Sequence, residues 1–119
     1  MQRFTDLKVW QRSHALTLEL YRMTATFPDA ERFGLTSQLR RAATSVPSNI
    51  AEGSKRTTRK DYARFLNIAE GSTAELEYLT ILAKDLGLIA AGRSDHLCAE
   101  IQEVARMLFS LRKKVESSR

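Results

Sequence analysis

The sequence predicts an all-α protein, an antiparallel up-down bundle of four helices, from three observations. Apolar residues recur at spacings of three and four through four separate segments, the joins between those segments are short, and no stretch of useful length alternates apolar and polar residues as a strand does. Short joins make successive helices antiparallel neighbours. A chain of 119 residues suffices for one hydrophobic core and not two, so residues 1–119 are read as a single domain. With 43% hydrophobic and 28% charged residues, five Gly and two Pro, the composition excludes disordered and collagen-like chains.

The first helix is expected over about residues 7–27, with Thr5 or Asp6 as N-cap and Pro28 as the stop. It carries two apolar stripes. Leu7, Trp10, His14, Leu18, Tyr21 and Ala25 form one, and Val9, Leu16, Leu20, Met23 and Phe27 form the other, roughly 180° away at about 100° per residue. A monomeric bundle buries one stripe, which leaves the second for sister subunits, and Val9, Leu16, Leu20, Met23 and Phe27 are the expected oligomer interface. Singly exposed apolar side chains are the ordinary alternative.

The second segment, about 35–54, continues the pattern through Leu35, Leu39, Ala42, Val46, Ile50 and Gly53. Pro47 removes the amide that would bond the Ala43 carbonyl, which predicts a kink, with Thr44, Ser45 or Ser48 hydroxyls satisfying the freed groups and the helix continuing beyond. The third segment, about 59–86, opens after Thr57 and Thr58, either of which can cap it, and Gly87 is a natural stop. The fourth, about 95–115, begins at Ser94 as cap and reads Leu97, Ile101, Val104, Leu108, Leu111 and Val115.

The hexapeptide from Asn49 to Ser54 reappears letter for letter from Asn67 to Ser72. Its flanks do not match, so duplication is not inferred. Small residues allowing close helix approach, with Asn and Glu in interhelical hydrogen bonds, account for it.

Charged residues through the first thirteen positions predict neither a signal peptide nor an anchor, and no segment approaches the roughly 20 apolar residues a spanning helix needs. A cytoplasmic protein is expected, and the single Cys98 fits a reducing compartment. No Glu has His three residues on, and His14 and His96 have no spaced acidic or thiol companions, so neither a metal nor a cofactor is expected. His14 reads as a core-edge residue of the Trp10 stripe. With no Gly-rich phosphate loop and no nucleophile and base at a recognisable spacing, the chain reads as a binding protein and not an enzyme.

Net charge is +5 and the isoelectric point about 9.7, which favours anionic partners. Alternating helix directions gather Arg3, Lys8, Lys55, Arg56, Arg59, Lys60, Arg64, Arg112, Lys113, Lys114 and Arg119 at one pole against Asp6, Asp61 and Glu116, a surplus of eight positive charges. The other pole carries a surplus of one negative charge. Lys55, Arg56, Arg112, Lys113 and Lys114 follow or close helices, where cations suit the macrodipole. Arg59, Lys60 and Arg64 open a helix and gain nothing from it, so they are the best candidates for phosphate or acid binding, against the alternative of a solvated charged end. Arg40 and Arg41 are expected opposite Ser72 and Thr73, in ion pairs with Glu70 or Glu75.

Three stretches, Phe4-Thr5-Asp6-Leu7-Lys8-Val9-Trp10, the run Gln38 to Gly53 with its Arg40-Arg41-Ala42-Ala43 and Val46-Pro47-Ser48-Asn49, and Gly71-Ser72-Thr73-Ala74-Glu75-Leu76, resemble the four-helix bundle protein family. That family includes proteins encoded in intervening sequences of bacterial 23S ribosomal RNA genes. The resemblance covers nearly the whole chain. It implies an antiparallel four-helix bundle assembled as a ring-shaped homopentamer with a positively charged surface, and a similar protein, the accessory factor of diversity-generating retroelements, binds reverse transcriptase and nucleic acid. The expected partners are therefore a second copy of the chain and RNA or DNA. An acidic protein partner, such as a nucleic-acid-processing enzyme, is the alternative.

Overall fold

A computed structural model describes residues 3–117. Four helices follow one another, α1 (Lys8–Thr24), α2 (Leu35–Ser54), α3 (Arg59–Asp85) and α4 (Ala91–Ser117), with 3-10 turns at Phe4–Asp6 and Asp29–Glu31 and no strand among the described residues. The body measures 48 × 24 × 20 Å. Leu20, Leu39, Ile50, Leu66, Leu76, Leu97, Ile101 and Leu108, drawn from all four helices, are almost wholly buried in one core. Each such side chain contributes about 1.5–3 kcal/mol by leaving water.

Contacts between the helices fix their directions. Gly53 lies against Phe65 while Ser45 meets Ser72 at 2.8 Å, so α2 and α3 run oppositely. Glu77 accepts from Gln102 and Glu70 from Arg112, which opposes α3 and α4. α1 packs on α2 and less extensively on α4. Its α4 side is bridged by Arg12 to Glu100 at 2.9 Å and by Glu19 to His96 at 3.4 Å and Arg93 at 3.8 Å.

The two stripes of α1 are present, but their expected roles are exchanged. Val9, Leu16, Leu20, Met23 and Phe27 are buried inside their own chain, which removes them as an oligomer interface. Trp10 is half-buried, and His14, Leu18, Tyr21 and Ala25 are exposed. The reason lies in polarity. The Val9 face brings aliphatic side chains together with Ser13, Thr17 and Thr24, whose hydroxyls return to carbonyls of their own helix at 2.8–2.9 Å. The Trp10 face carries an indole, an imidazole and a phenol, each needing a partner that an apolar core does not offer. His14 is accordingly a surface residue, stacked on Trp10 at 5.0 Å between ring centres, and not at the core edge.

Helix ends differ from expectation at three places, and the first is the end of α1, which closes at Thr24 and not at Phe27 before Pro28. Neither Thr5 nor Asp6 caps α1; Leu7 stands at that position with no side-chain cap. Ser94 is buried inside α4, which starts one turn earlier at Ala91, because α3 ends on a tight motif that leaves no long join. Gly87, at φ +78°, donates to Lys84 O and Leu88 to Ala83 O, both at 2.9 Å, satisfying the last carbonyls of α3. At the other end of α3, Thr58 caps the helix by accepting from the Asp61 amide at 3.1 Å.

α2 continues through Pro47. The freed Ala43 carbonyl accepts from Thr17 Oγ1 of α1, and not from Thr44, Ser45 or Ser48. Thr44 bonds Arg40 O, Ser45 faces Ser72, and Ser48 is exposed. The two copies of the hexapeptide have different surroundings. A side chain on Gly53 would meet Phe65 Cβ at 2.7 Å, whereas one on Gly71 would meet nothing within 4 Å. Asn49 bonds Ser45 O within its own helix at 2.7 Å, Glu52 pairs with Arg56 after the helix end, and of these polar groups Glu70 makes the expected interhelical contact. Arg40 and Arg41 are in no ion pair with the described residues: Arg40 donates to Thr24 Oγ1 at 2.8 Å and lies over the Tyr21 ring, and Arg41 is exposed.

Candidate nucleic-acid interface

The cap at Thr58 starts α3 abruptly, and its first two turns place Lys60, Arg64 and Asn67 at spacings of four and three along one face. That face meets the last turns of α4 across a cleft of about 730 Å³ lined by Thr57, Arg59, Lys60, Ala63, Arg64, Asn67, Arg112 and Glu116. Four of the eight cations expected to bind, Arg59, Lys60, Arg64 and Arg112, are thereby brought together.

These four are not equivalent. Arg112 is clamped between two carboxylates: Nε and Nη2 donate to Glu70, and Nη1 donates to Glu116 at 3.0 Å. Those hydrogen bonds push its already high pKa further up. Arg64 pairs with Asp61 one turn earlier at 3.1 Å, with both side chains largely in solvent, where such a pair contributes about 0–1 kcal/mol. Arg59 and Lys60 make no ion pair with any described residue. They sit on the first turn of α3, where the unpaired backbone amides add further positive potential.

The remaining cations surround the cleft without lining it. Arg56 lies 4.6 Å from the centre of the Phe65 ring, as does Arg64, and pairs with Glu52 at 2.9 Å. Lys55, just past α2, is exposed and makes no ion pair with the described residues. Lys113 lies 5.9 Å from the exposed Phe109 ring, and Lys114 is in the last turn of α4. Arg119 falls outside the described residues. The charge surplus read from helix directions is too large, because Glu52 and Glu70 neutralise Arg56 and Arg112 at this same pole. Sequence reasoning missed Thr57, Asn67 and the carboxylate clamp; the Lys60, Arg64, Asn67 spacing is the signal that would have found Asn67.

Among the described residues no three His, Cys, Asp or Glu side chains gather as metal ligands, and no helix is long and apolar enough to cross a membrane. Cys98 is half-buried on α4, where burial pushes its thiol pKa up and a hydrogen bond with Ser94 works against that shift.

Fold and cleft together define a small helical bundle with a cation-lined groove at one pole. The chain belongs to the 23S rRNA-intervening sequence protein family, whose model matches residues 5–110. Among solved structures it is similar to a protein of unknown function from the S23 ribosomal protein family of Bacteroides thetaiotaomicron. The two share 24% identity and superimpose with a TM-score of 0.81 over 88% of this chain and 95% of that one, a likeness of fold. No curated protein matches the chain.

Proposed function

We propose that the protein is a non-enzymatic, homo-oligomeric binding module that engages nucleic-acid phosphates through the α3–α4 cleft. The observation that carries this reading is the pair Arg59 and Lys60, two cations at a helix start in no ion pair with the described residues, although Asp61 and Glu116 are near. A structural role would have paired them, as it pairs Arg112. Arg64 and the neighbouring Lys55, Arg56, Lys113 and Lys114 extend the positive field.

Fluorescence anisotropy with labelled RNA and DNA tests the proposal. Replacing both Arg59 and Lys60 by Glu lowers affinity and reduces the slope of log affinity against log salt by about two, one for each phosphate no longer neutralised. An unchanged slope removes these residues from the interface, and capture of an acidic protein that survives nuclease treatment transfers the same cations to a protein partner.

Self-association, in a ring of five by resemblance, is proposed through surfaces the fold leaves wet: Trp10, His14 and Leu18 on α1, and Ile68, Tyr78 and Ile81 on α3. The open Gly71 lies on that α3 face and permits close approach. Sedimentation showing a 13.5 kDa monomer at high concentration defeats this part.

A further inference from the structure

A second cationic cleft, of about 360 Å³, lies between the C-terminal half of α1 and the N-terminal half of α2. Three arginines line it, Arg32, Arg40 and Arg41, with no carboxylate among the lining residues and no ion pair from any of the three to a described residue. Two aromatic rings border the same space. Tyr21 carries the Arg40 guanidinium 4.4 Å from its centre, and Phe33, 86% exposed, carries that of Arg32 at 5.0 Å.

The start of α2, whose residues Thr36 and Ser37 line this cleft, has no side-chain cap. Gly34 stands at the cap position and supplies no side chain, so the backbone N–H groups of Leu35, Thr36 and Ser37 have no acceptor among the described residues. Thr36 lines the cleft, but its hydroxyl oxygen is turned away from the surface and has no hydrogen-bond partner among the described residues. Glu31 brings a carboxylate close to Gly34 but does not line the cleft, and its side chain bonds to none of the described residues. Three guanidiniums beside unpaired first-turn amides give the cleft the chemistry that suits an anion.

We propose that this cleft binds a phosphomonoester carried on a nucleoside, either a free nucleotide or the phosphorylated end of a strand. The dianion accepts from the α2 amides and from Arg40 and Arg41, which are planar donors suited to phosphate oxygens. Arg40 is held ready by its bonds to Thr24 Oγ1 and Tyr21 O. The base stacks on the open side of Phe33, next to Arg32. Aromatic rings at the rim are what favour a nucleotide over inorganic phosphate.

Titration of the full chain with adenosine monophosphate, a 5′-phosphorylated trinucleotide, the same trinucleotide with a 5′-hydroxyl, and inorganic phosphate, followed by amide resonances, tests the proposal. The first two ligands shift residues 35–37 and bind at least tenfold tighter than the last two; preference between the first two distinguishes a free nucleotide from a strand end. Arg41→Gln and Arg32→Gln, both at exposed residues, each weaken binding severalfold, and Glu31→Gln strengthens it. The Arg59→Glu, Lys60→Glu double variant leaves the shifts of residues 35–37 unchanged, so failure of this site and failure of the α3–α4 cleft are separable. Equal binding of the hydroxyl-ended trinucleotide or of inorganic phosphate, or indifference to both arginine variants, overturns the proposal.

Discussion

Thr17 Oγ1 lies 3.1 Å from the carbonyl oxygen of Ala43, the acceptor that Pro47 leaves without its helical amide. The same hydroxyl is 2.8 Å from Ser13 O, so one proton is shared between two helices. A buried carbonyl without a donor costs about 1–3 kcal/mol, and α1 supplies the donor that α2 lacks.

Thr17→Val therefore destabilises the protein by about 1–2 kcal/mol, the cost of a buried acceptor left unpaired. Pro47→Ala restores the amide, and in that background the Thr17 change costs less. A urea-denaturation cycle of the two single variants and the double variant measures the coupling; strict additivity would show that the two sites act independently.

The repeated hexapeptide gives two glycine variants of opposite sign. Gly53→Ala drives a methyl into Phe65 and costs about 1–3 kcal/mol by overpacking. Gly71→Ala enters open space in a helix interior and stabilises the isolated subunit by up to about 1 kcal/mol. Thermal melts of the two proteins distinguish them, and equal shifts would contradict the packing described.

Gly87 takes a left-handed conformation, so Gly87→Ala costs roughly 1–2 kcal/mol. Hydrogen exchange at the amides of residues 87 and 88, which close the end of α3, should accelerate with the loss. A variant as stable as the parent would mean that the turn relaxes without strain.

Burial raises the Cys98 thiol pKa, and the Ser94 hydrogen bond opposes the rise. Alkylation of Cys98 followed against pH should have a midpoint above that of an unperturbed thiol, with slow reaction at pH 8. Ser94→Ala should move the midpoint higher still. A midpoint at or below the ordinary value contradicts this environment.

Periodicity made α2 and α3 legible almost to the residue, because a helix start such as Thr58 and a stop such as Gly87 are local chemistry. It was less informative for α4, where Ser94 looks like a cap but is carried inside by the early start at Ala91. The basic pole was half legible. Arg59 and Lys60 stand out because they oppose the dipole of their own helix, a property readable along the chain. Glu70 was not assigned to Arg112, since nothing within α3 says which side chain of α4 will lie beside it. The Arg32, Arg40 and Arg41 cleft escaped notice for the same reason.

Residue order alone was enough to establish four amphipathic rods, their short joins and the presence of two apolar stripes on α1, since each follows from spacing within one segment. Packing was needed to choose Val9, Leu16 and Leu20 for the interior, to bring Thr17 to Ala43, and to leave Arg59 and Lys60 unpaired while clamping Arg112. Those outcomes depend on the energies of pairs far apart in the chain, where burial, desolvation and hydrogen-bond satisfaction are decided jointly by both partners.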